Sequence, residues 1–181
     1  QLGTGYSITR TPVQEFDLSG PEPQAVGSVR KRLRLLDTNG GSHQPQDVGV
    51  GISQVLPVVV AAQDGSASVV CVEQPELHVH PAVQVGLGDL FIDGALNSGL
   101  AFLIETHSEH LILRLLRRVR EAAEQEVAIE GPTVTPNLVG VYYLSKEDGH
   151  IVASEIPINA NGDFDRPWPR GFFEERGPEL F

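Results

Sequence analysis

Residues 69–81 read VVCVEQPELHVHP, and this stretch decides how the rest of the chain can be interpreted. Its first four residues form a short, wholly apolar run, which is typical of a buried parallel strand. Carboxylates and histidines follow at once. Pro81 can open a helix, because its missing N–H and fixed φ suit the first helical position. The stretch therefore predicts a strand, a polar loop and a helix in succession.

The same succession recurs further along the chain. Residues 101–104 (AFLI) form a second apolar run, and residues 105–110 (ETHSEH) follow it. In open α/β sheets, ligands bind beyond the carboxyl ends of the strands. Polar residues at two such ends are therefore better site candidates than polar residues elsewhere. These candidates include Glu73, Gln74, Glu76, His78, His80, Glu105 and His107.

A glycine-rich segment precedes both strands. Residues 47–54 (DVGVGISQ) lead into a helical spacing of apolar residues that ends near residue 64. The N-terminus of a helix presents backbone N–H groups and is a ready anion site. Pro57 falls inside this spacing, and we expect it to be tolerated only near the first turn.

Two further amphipathic helices and a third strand complete the predicted core. Leu87 and Phe91 share one face after Pro81, and residues 111–119 form a second apolar face with the neighbouring arginines largely outside. Residues 139–144 predict a strand that turns through residues 146–149 into a hairpin partner at 150–156. The alternation predicts an α/β fold, a mainly parallel sheet with covering helices.

The first third of the chain predicts a small antiparallel β region. Residues 5–10 alternate like a strand that ends before Pro12, and residues 17–28 have the composition of a loop. Residues 29–36 form a strand in which Arg30, Arg32 and Arg34 share one face. Such a stripe is either a solvated face or a local nucleic-acid contact.

Composition excludes several classes of protein. Apolar residues make up 40% of the 181 residues, which is too many for a disordered chain, and no apolar run is long enough to span a bilayer. The net charge of −11 argues against a generally basic nucleic-acid binder. The single cysteine, Cys71, excludes a disulfide framework, suits the cytoplasm, and is expected to be inert packing within its strand. The absence of methionine suggests a processed chain or a piece of a longer one.

In this order, the three segments resemble the ABC/SMC-type ATPases, in the prokaryotic AAA-like branch related to RecF and the OLD-family proteins. Residues 69–81 resemble the Walker B strand, residues 47–57 the ABC signature loop, and residues 103–108 the switch-histidine strand. Residues 168–173 (WPRGFF) resemble the tail of a subgroup whose C-terminal domain has no assigned role.

The resemblance implies a role for each residue of the Walker B and switch segments. Glu73 takes the acid position that holds Mg²⁺. Gln74 stands where the family usually has the glutamate that polarises the attacking water, and an amide can orient water but cannot take its proton. Either hydrolysis is slow, or Glu76 or a group of a partner takes the place of the usual base. His107 would donate a hydrogen bond to the γ-phosphate of ATP.

The signature loop implies a dimer. In the family it contacts the γ-phosphate of ATP bound to a second protomer, so the site is complete only when two heads close over nucleotide. The residues that would make this contact are Gly49, Gly51, Ser53 and Gln54.

A phosphate-cradling P-loop of the form G-x-x-x-x-G-K-[ST] does not occur in the sequence. The resemblance therefore implies the C-terminal half of a head domain, with a P-loop-containing N-terminal half as its partner. We expect a β-rich segment at 1–46, the ATPase lobe at 47–138, and C-terminal strands with an acidic-aromatic tail at 139–181. DNA is a candidate partner, since DNA repair and anti-phage defence are typical of the wider relatives.

Two other functional hypotheses are compatible with these residues. A metal-dependent hydrolase could use His78 and His80 as ligands, together with Glu73, Glu76 and His107. A non-catalytic module could instead use an ATPase-like lobe only to bind a partner or DNA. For His78 and His80, packing and hydrogen bonding behind the strand is the simpler expectation.

Overall fold

The computed structural model describes residues 5–63, 66–124 and 134–169. Two short 3-10 turns, Pro45–Asp47 and Pro136–Leu138, separate some of its main elements. Within the described residues, no helix is both long and apolar enough to cross a membrane. In chain order the strands and helices are β1 (Tyr6–Asp17), β2 (Gln24–Asp37), β3 (Ser42–His43), α1 (Val50–Gln63), β4 (Val69–Glu73), α2 (Pro81–Ser98), β5 (Ala101–Glu105), α3 (Glu109–Glu124), β6 (Tyr142–Glu147) and β7 (His150–Glu155).

Strands β1 and β2 form a long antiparallel arm, and β3 pairs only with the end of β2. The expected end of the first strand before Pro12 is wrong, because β1 continues to Asp17 and Pro12 pairs with Lys31. Proline is tolerated here because β1 is an edge strand. The predicted loop at 17–28 is also too long, since β2 already begins at Gln24.

Strands β4 and β5 are parallel neighbours, paired from Val69 with Ala101 through Glu73 with Glu105. One face of this pair packs against the helices. The buried residues of that core are Val55, Val79, Leu87, Phe91 and Leu111, and Val72, Phe102 and Ile104 of the strands pack against them.

The other face of β4 and β5 is open, and the expectation of two fully buried strands is therefore wrong. Val69 is 59% exposed and Leu103 is 69% exposed. Cys71 lies on the same face and is exposed rather than packed. In the described part of the chain the helices cover one side only, so alternate residues of both strands face solvent.

The predicted third strand does not join the parallel sheet. Strand β6 pairs with β7 as an antiparallel hairpin, from Tyr142 with Glu155 to Glu147 with His150. The two-residue turn, Asp148 and Gly149, has positive φ at both positions (48° and 85°), as a type I′ turn requires. The hairpin is confirmed. The fold is α/β with antiparallel regions, but β4 and β5 are the only parallel pair among the described residues.

The helices follow the sequence pattern with two exceptions. Helix α2 begins at Pro81 as predicted. Pro57, however, lies in the middle of α1, where it supplies no N–H to the carbonyl of Ser53. The expected stop of α1 at residues 64–65 lies outside the described residues.

The second exception is in α3, where two of the arginines expected outside are largely buried. The side chains of Arg114 and Arg118 are 16% and 9% exposed, and both contact Asp89 of α2. Arg117 and Arg120 are more exposed, at 63% and 45% of their side-chain surface.

Candidate functional site

The ends of β4 and β5 bring two carboxylates side by side. Glu73 pairs in register with Glu105, and both residues are exposed on the open face of the sheet. The backbone N–H of Gln74 donates to the carbonyl of Glu105 at 2.8 Å and extends the pairing by one residue. The predicted Walker B acid thus has a second acid as its direct neighbour.

The loop after β4 has an uncommon backbone. Gln74 (φ 45°) and His78 (φ 58°) lie in the left-handed region, which side-chain-bearing residues enter at an energetic cost. Two turns compact the loop, because Leu77 N donates to Gln74 O at 3.1 Å and Val79 N donates to Glu76 O at 3.0 Å. Such strained positions collect at functional sites, where surrounding contacts hold them.

Glu76 joins this loop to the end of β5. Its Oε1 accepts a hydrogen bond from the backbone N–H of His107 at 2.6 Å. Its Oε2 is buried and has no hydrogen-bond partner among the described residues. Two residues singled out in separate sequence clusters therefore meet directly.

Gln84 makes a second bridge between the same two loops, and sequence reasoning missed it. Its Nε2 donates to the carbonyl of Val79 at 2.8 Å, and its Oε1 accepts from the hydroxyl of Ser108 at 2.6 Å. The same hydroxyl accepts from Leu111 N at 3.0 Å and caps α3. A serine just before a helical run is the one sequence signal that marks this position.

The glycine-rich segment packs on the loop after β4. The carbonyl of Gly49 accepts from Ile52 N at 3.0 Å, so Gly49 lies at the start of α1. A Cβ at Gly51 would collide with the carbonyl oxygen of His78, so only glycine permits this approach. The hydroxyl of Ser53 donates to Val50 O at 2.8 Å, within the first turn, and Gln54 is exposed.

An ion-pair network behind the site joins α2 to α3. Arg114 donates to both carboxylate oxygens of Asp89 at 2.8 and 2.7 Å, and Arg118 donates to the same carboxylate at 2.9 Å. Partial burial alone would raise the pKa of Asp89, but the hydrogen bonds from the two arginines outweigh it and lower the pKa. Arg118 also donates to Glu121 at 2.8 Å.

The ligand set that the hydrolase alternative needs does not assemble in the described residues. No group of three or more His, Cys, Asp or Glu side chains there is placed to share a metal ion. The ring of His80 instead accepts from Ala82 N at 3.2 Å and caps α2.

A tail segment follows β7. Its described part includes Trp168, whose ring packs on that of Phe164 with centroids 4.9 Å apart. Residues 170–173 of the predicted tail lie outside the described residues.

The parallel pair with its helices, and the strand-end loops that meet over it, belong to a fold that is similar to that of an SMC ATPase. A solved structure described as "Structural biochemistry of ATP-driven dimerization and DNA stimulated activation of SMC ATPases" shares this fold with a TM-score of 0.52 and 12% identity, over 86% of this chain and 76% of that chain.

Residues 3–114 match the family described as "AAA domain, putative AbiEii toxin, Type IV TA system", and the chain belongs to that family. Residues 134–181 match a second family, described as "Protein of unknown function (DUF3696)". No curated protein matches the chain.

Proposed function

We propose that this chain is the C-terminal part of an ABC/SMC-like ATPase head that binds and hydrolyses ATP between two heads. The observation that carries the proposal is the convergence of three separate segments. Gly51 packs on His78, and Glu76 accepts from His107. An arrangement in which signature, Walker B and switch segments support one another is what a shared nucleotide site needs.

The strand-end carboxylates fit a magnesium ion. Glu73 and Glu105 are adjacent and exposed, and a hard cation that keeps several waters needs only one or two carboxylates from the protein. When bound with ATP, Mg²⁺ supplies neutralisation of phosphate charge. Glu73 is the residue we assign to this ion.

The residues after β4 and β5 act on water and phosphate. Gln74 follows Glu73 directly and would orient the attacking water through its amide. Glu76 holds the backbone of His107 and thereby positions the imidazole that would donate to the γ-phosphate. Because the carboxylate of Glu76 is already engaged, we assign it positioning first and base catalysis second.

The first turn of α1 would complete the site of a second protomer. Gly49 is exposed at the start of the helix, and the first-turn N–H groups favour an anion at this end. Ser53 and Gln54 follow in the same turn. Closure of two identical heads over ATP, a homodimer, is the arrangement in which these groups reach nucleotide.

The open face of β4 and β5 supports a further partner, a P-loop-containing N-terminal half. Val69, at the start of β4, and Leu103, in the middle of β5, are large apolar residues left exposed on this face. Burying a side chain of that size contributes about 1.5–3 kcal/mol. A second layer of structure on this face would complete the three-layer packing that parallel sheets require.

Nucleotide-driven dimerisation tests the proposal. In a head that joins this chain to a P-loop half, Ser53→Arg should retain ATP binding and abolish the ATP-dependent dimer on size-exclusion chromatography. Gln63→Arg, at the exposed far end of α1, is the matched control and should dimerise normally. If Ser53→Arg dimerises as wild type does, the signature assignment is wrong.

A second candidate is a head that binds ATP without turning it over. Gln74 favours it, since an amide lacks the basicity of the usual glutamate. Single-turnover assays on the joined head separate the two, because only the ATPase releases phosphate. The assembled ATPase would serve DNA repair or anti-phage defence in the cytoplasm, as its wider relatives do.

A further inference from the structure

The arm formed by β1 and β2 carries a polar face that the proposed ATPase does not use. Thr9 lies opposite Arg34 and Thr11 lies opposite Arg32 in the register of the two strands. Because side chains alternate along a strand, Arg30 and Val13 extend the same face by one pair. Two of these three cross-strand pairs therefore place a guanidinium group beside a hydroxyl group.

This face points away from the core. Leu35 is buried, and Leu33 is half-buried, on the opposite side of β2. Strand β3 pairs only with Leu35 and Leu36, so the rest of the arm extends beyond the sheet. Arg30 and Arg32 are exposed in this free part.

The middle of the arm concentrates positive charge in a chain whose net charge is −11. Five of the 13 lysines and arginines lie on it, namely Arg10, Arg30, Lys31, Arg32 and Arg34. Acidic side chains lie at the two ends of the arm: Glu15, Asp17 and Glu22 towards its tip, and Asp37, which pairs with His43, at its base.

The charges of the arm are poorly compensated, in contrast to those of α3. Every arginine of α3 pairs with a carboxylate at 2.9 Å or less. In the described parts of the chain, Arg32 and Arg34 make no salt bridge. Arg30 has Glu15 at 3.8 Å, and both side chains are largely exposed, so this pair contributes little.

The chemistry of this face fits a sugar–phosphate backbone. Arginine, serine and threonine side chains are among the groups that commonly contact phosphate and sugar. A two-stranded β-ribbon is narrow enough to enter the major groove of B-DNA. Single strands are usually held by stacking on aromatic side chains, and the paired residues of this face from 7 to 13 and from 30 to 36 include none.

We propose that the arm of β1 and β2 binds the backbone of duplex DNA through its arginine–hydroxyl face. Arg30, Arg32 and Arg34 supply the charge, and Thr9 and Thr11 add hydroxyl donors. The contact is independent of nucleotide, since no residue of the proposed ATP site takes part. The proposed DNA contact does not depend on base sequence, because contacts to phosphate carry no information about the bases.

Fluorescence anisotropy of the 181-residue chain tests the proposal with a labelled duplex of about three helical turns and no ATP. Arg30→Gln combined with Arg32→Gln should weaken binding at least tenfold in ~50 mM salt. The slope of log K against log salt should fall by about 1.8, or about 0.9 for each phosphate contact. The control pair, Arg117→Gln with Lys146→Gln, removes two exposed positive charges elsewhere and should change neither quantity appreciably.

Additional variants and controls test for misfolding and for non-specific electrostatic attraction. Arg30→Lys with Arg32→Lys keeps the charge and should retain most of the affinity, while circular dichroism checks that every variant is folded. The proposal fails if the wild-type chain does not bind the duplex, if the control pair loses as much affinity, or if a single strand binds equally well. Because nucleotide is absent, each of these failures leaves the ATPase proposal untouched.

Discussion

The carboxylate of Glu76 accepts a hydrogen bond from the backbone N–H of His107 at 2.6 Å, across 31 residues of sequence. This contact fastens the loop after β4 to the end of β5, and a charged acceptor makes such a bond stronger than a neutral one. The second oxygen of Glu76 is buried without a hydrogen-bond partner in the described residues. The glutamate thus holds the relative position of two loops that carry candidate catalytic groups.

Replacing Glu76 should reveal this role in stability. Glu76→Ala removes the acceptor of the His107 N–H and should lower the free energy of unfolding by about 1–3 kcal/mol. Glu76→Gln keeps an acceptor oxygen and should stay within about 1 kcal/mol of wild type. Urea unfolding of the chain measures both, and equal losses in the two variants would contradict the assignment.

The close approach of Gly51 to the carbonyl of His78 predicts a position-specific effect of a methyl group. Gly51→Ala must displace the loop after β4 or the start of α1, and should cost about 1–3 kcal/mol. Gly49→Ala is the matched control, because no atom lies within 4 Å of a Cβ there. In thermal unfolding, the melting temperature of Gly51→Ala should be well below that of Gly49→Ala. The reverse order would contradict the packing described.

Gln74 predicts slow turnover in the joined ATPase head. General-base assistance contributes about 10²–10⁴ in rate, so Gln74→Glu should accelerate phosphate release at least tenfold in a single-turnover assay. Glu73→Gln should instead abolish Mg²⁺-dependent turnover, because it removes the charge assigned to the metal ion. If Gln74→Glu is unchanged while Glu76→Gln is inactive, Glu76 is the working base.

The contacts of Arg114 and Arg118 with Asp89 predict that the free energy of unfolding decreases at low pH. The pKa of Asp89 is lowered in the folded protein, so its contribution is complete above the unfolded value of about 3.9 and is lost as the pH falls through the folded value. Asp89→Asn should cost about 1.5–3 kcal/mol at neutral pH and flatten the loss of stability below pH ~4. Asp93→Asn, at an exposed position one turn later, is the matched control and should cost less stability at neutral pH than Asp89→Asn.

Much of the local structure could be predicted from the sequence, because caps and apolar runs are local signals. Pro81 opens α2 as expected, and the Asp148-Gly149 turn forms the expected hairpin. Pairing partners are not local. The apolar run at 139–144 is equally suitable for a parallel sheet or a hairpin, and periodicity does not distinguish them. The sequence analysis ended the first strand before Pro12, whereas an edge strand tolerates proline. Whether a strand lies at the edge depends on the pairing of the whole sheet, which no local pattern shows.

The candidate site shows the same difference between local features, which the sequence predicts, and long-range contacts, which it does not. Composition and spacing identified the residues of both strand-end clusters, but not the contacts that organise them. Arg114 and Arg118 were expected in solvent because their partner, Asp89, lies 25 and 29 residues earlier in the chain. The bridge through Gln84 was missed for the same reason, since a glutamine in a helix carries no signal of its own.

The accessibility of Cys71 to a thiol-reactive dye measures how far the open face of β4 and β5 is exposed. Cys71 is the chain's one cysteine, and its thiol is exposed between Val69 and Glu73 on that face. A maleimide dye should therefore label the free chain at a single point and with little protection. When another layer of protein docks there, the labelling rate should fall, so the kinetics of one thiol report docking in real time without any engineered residue.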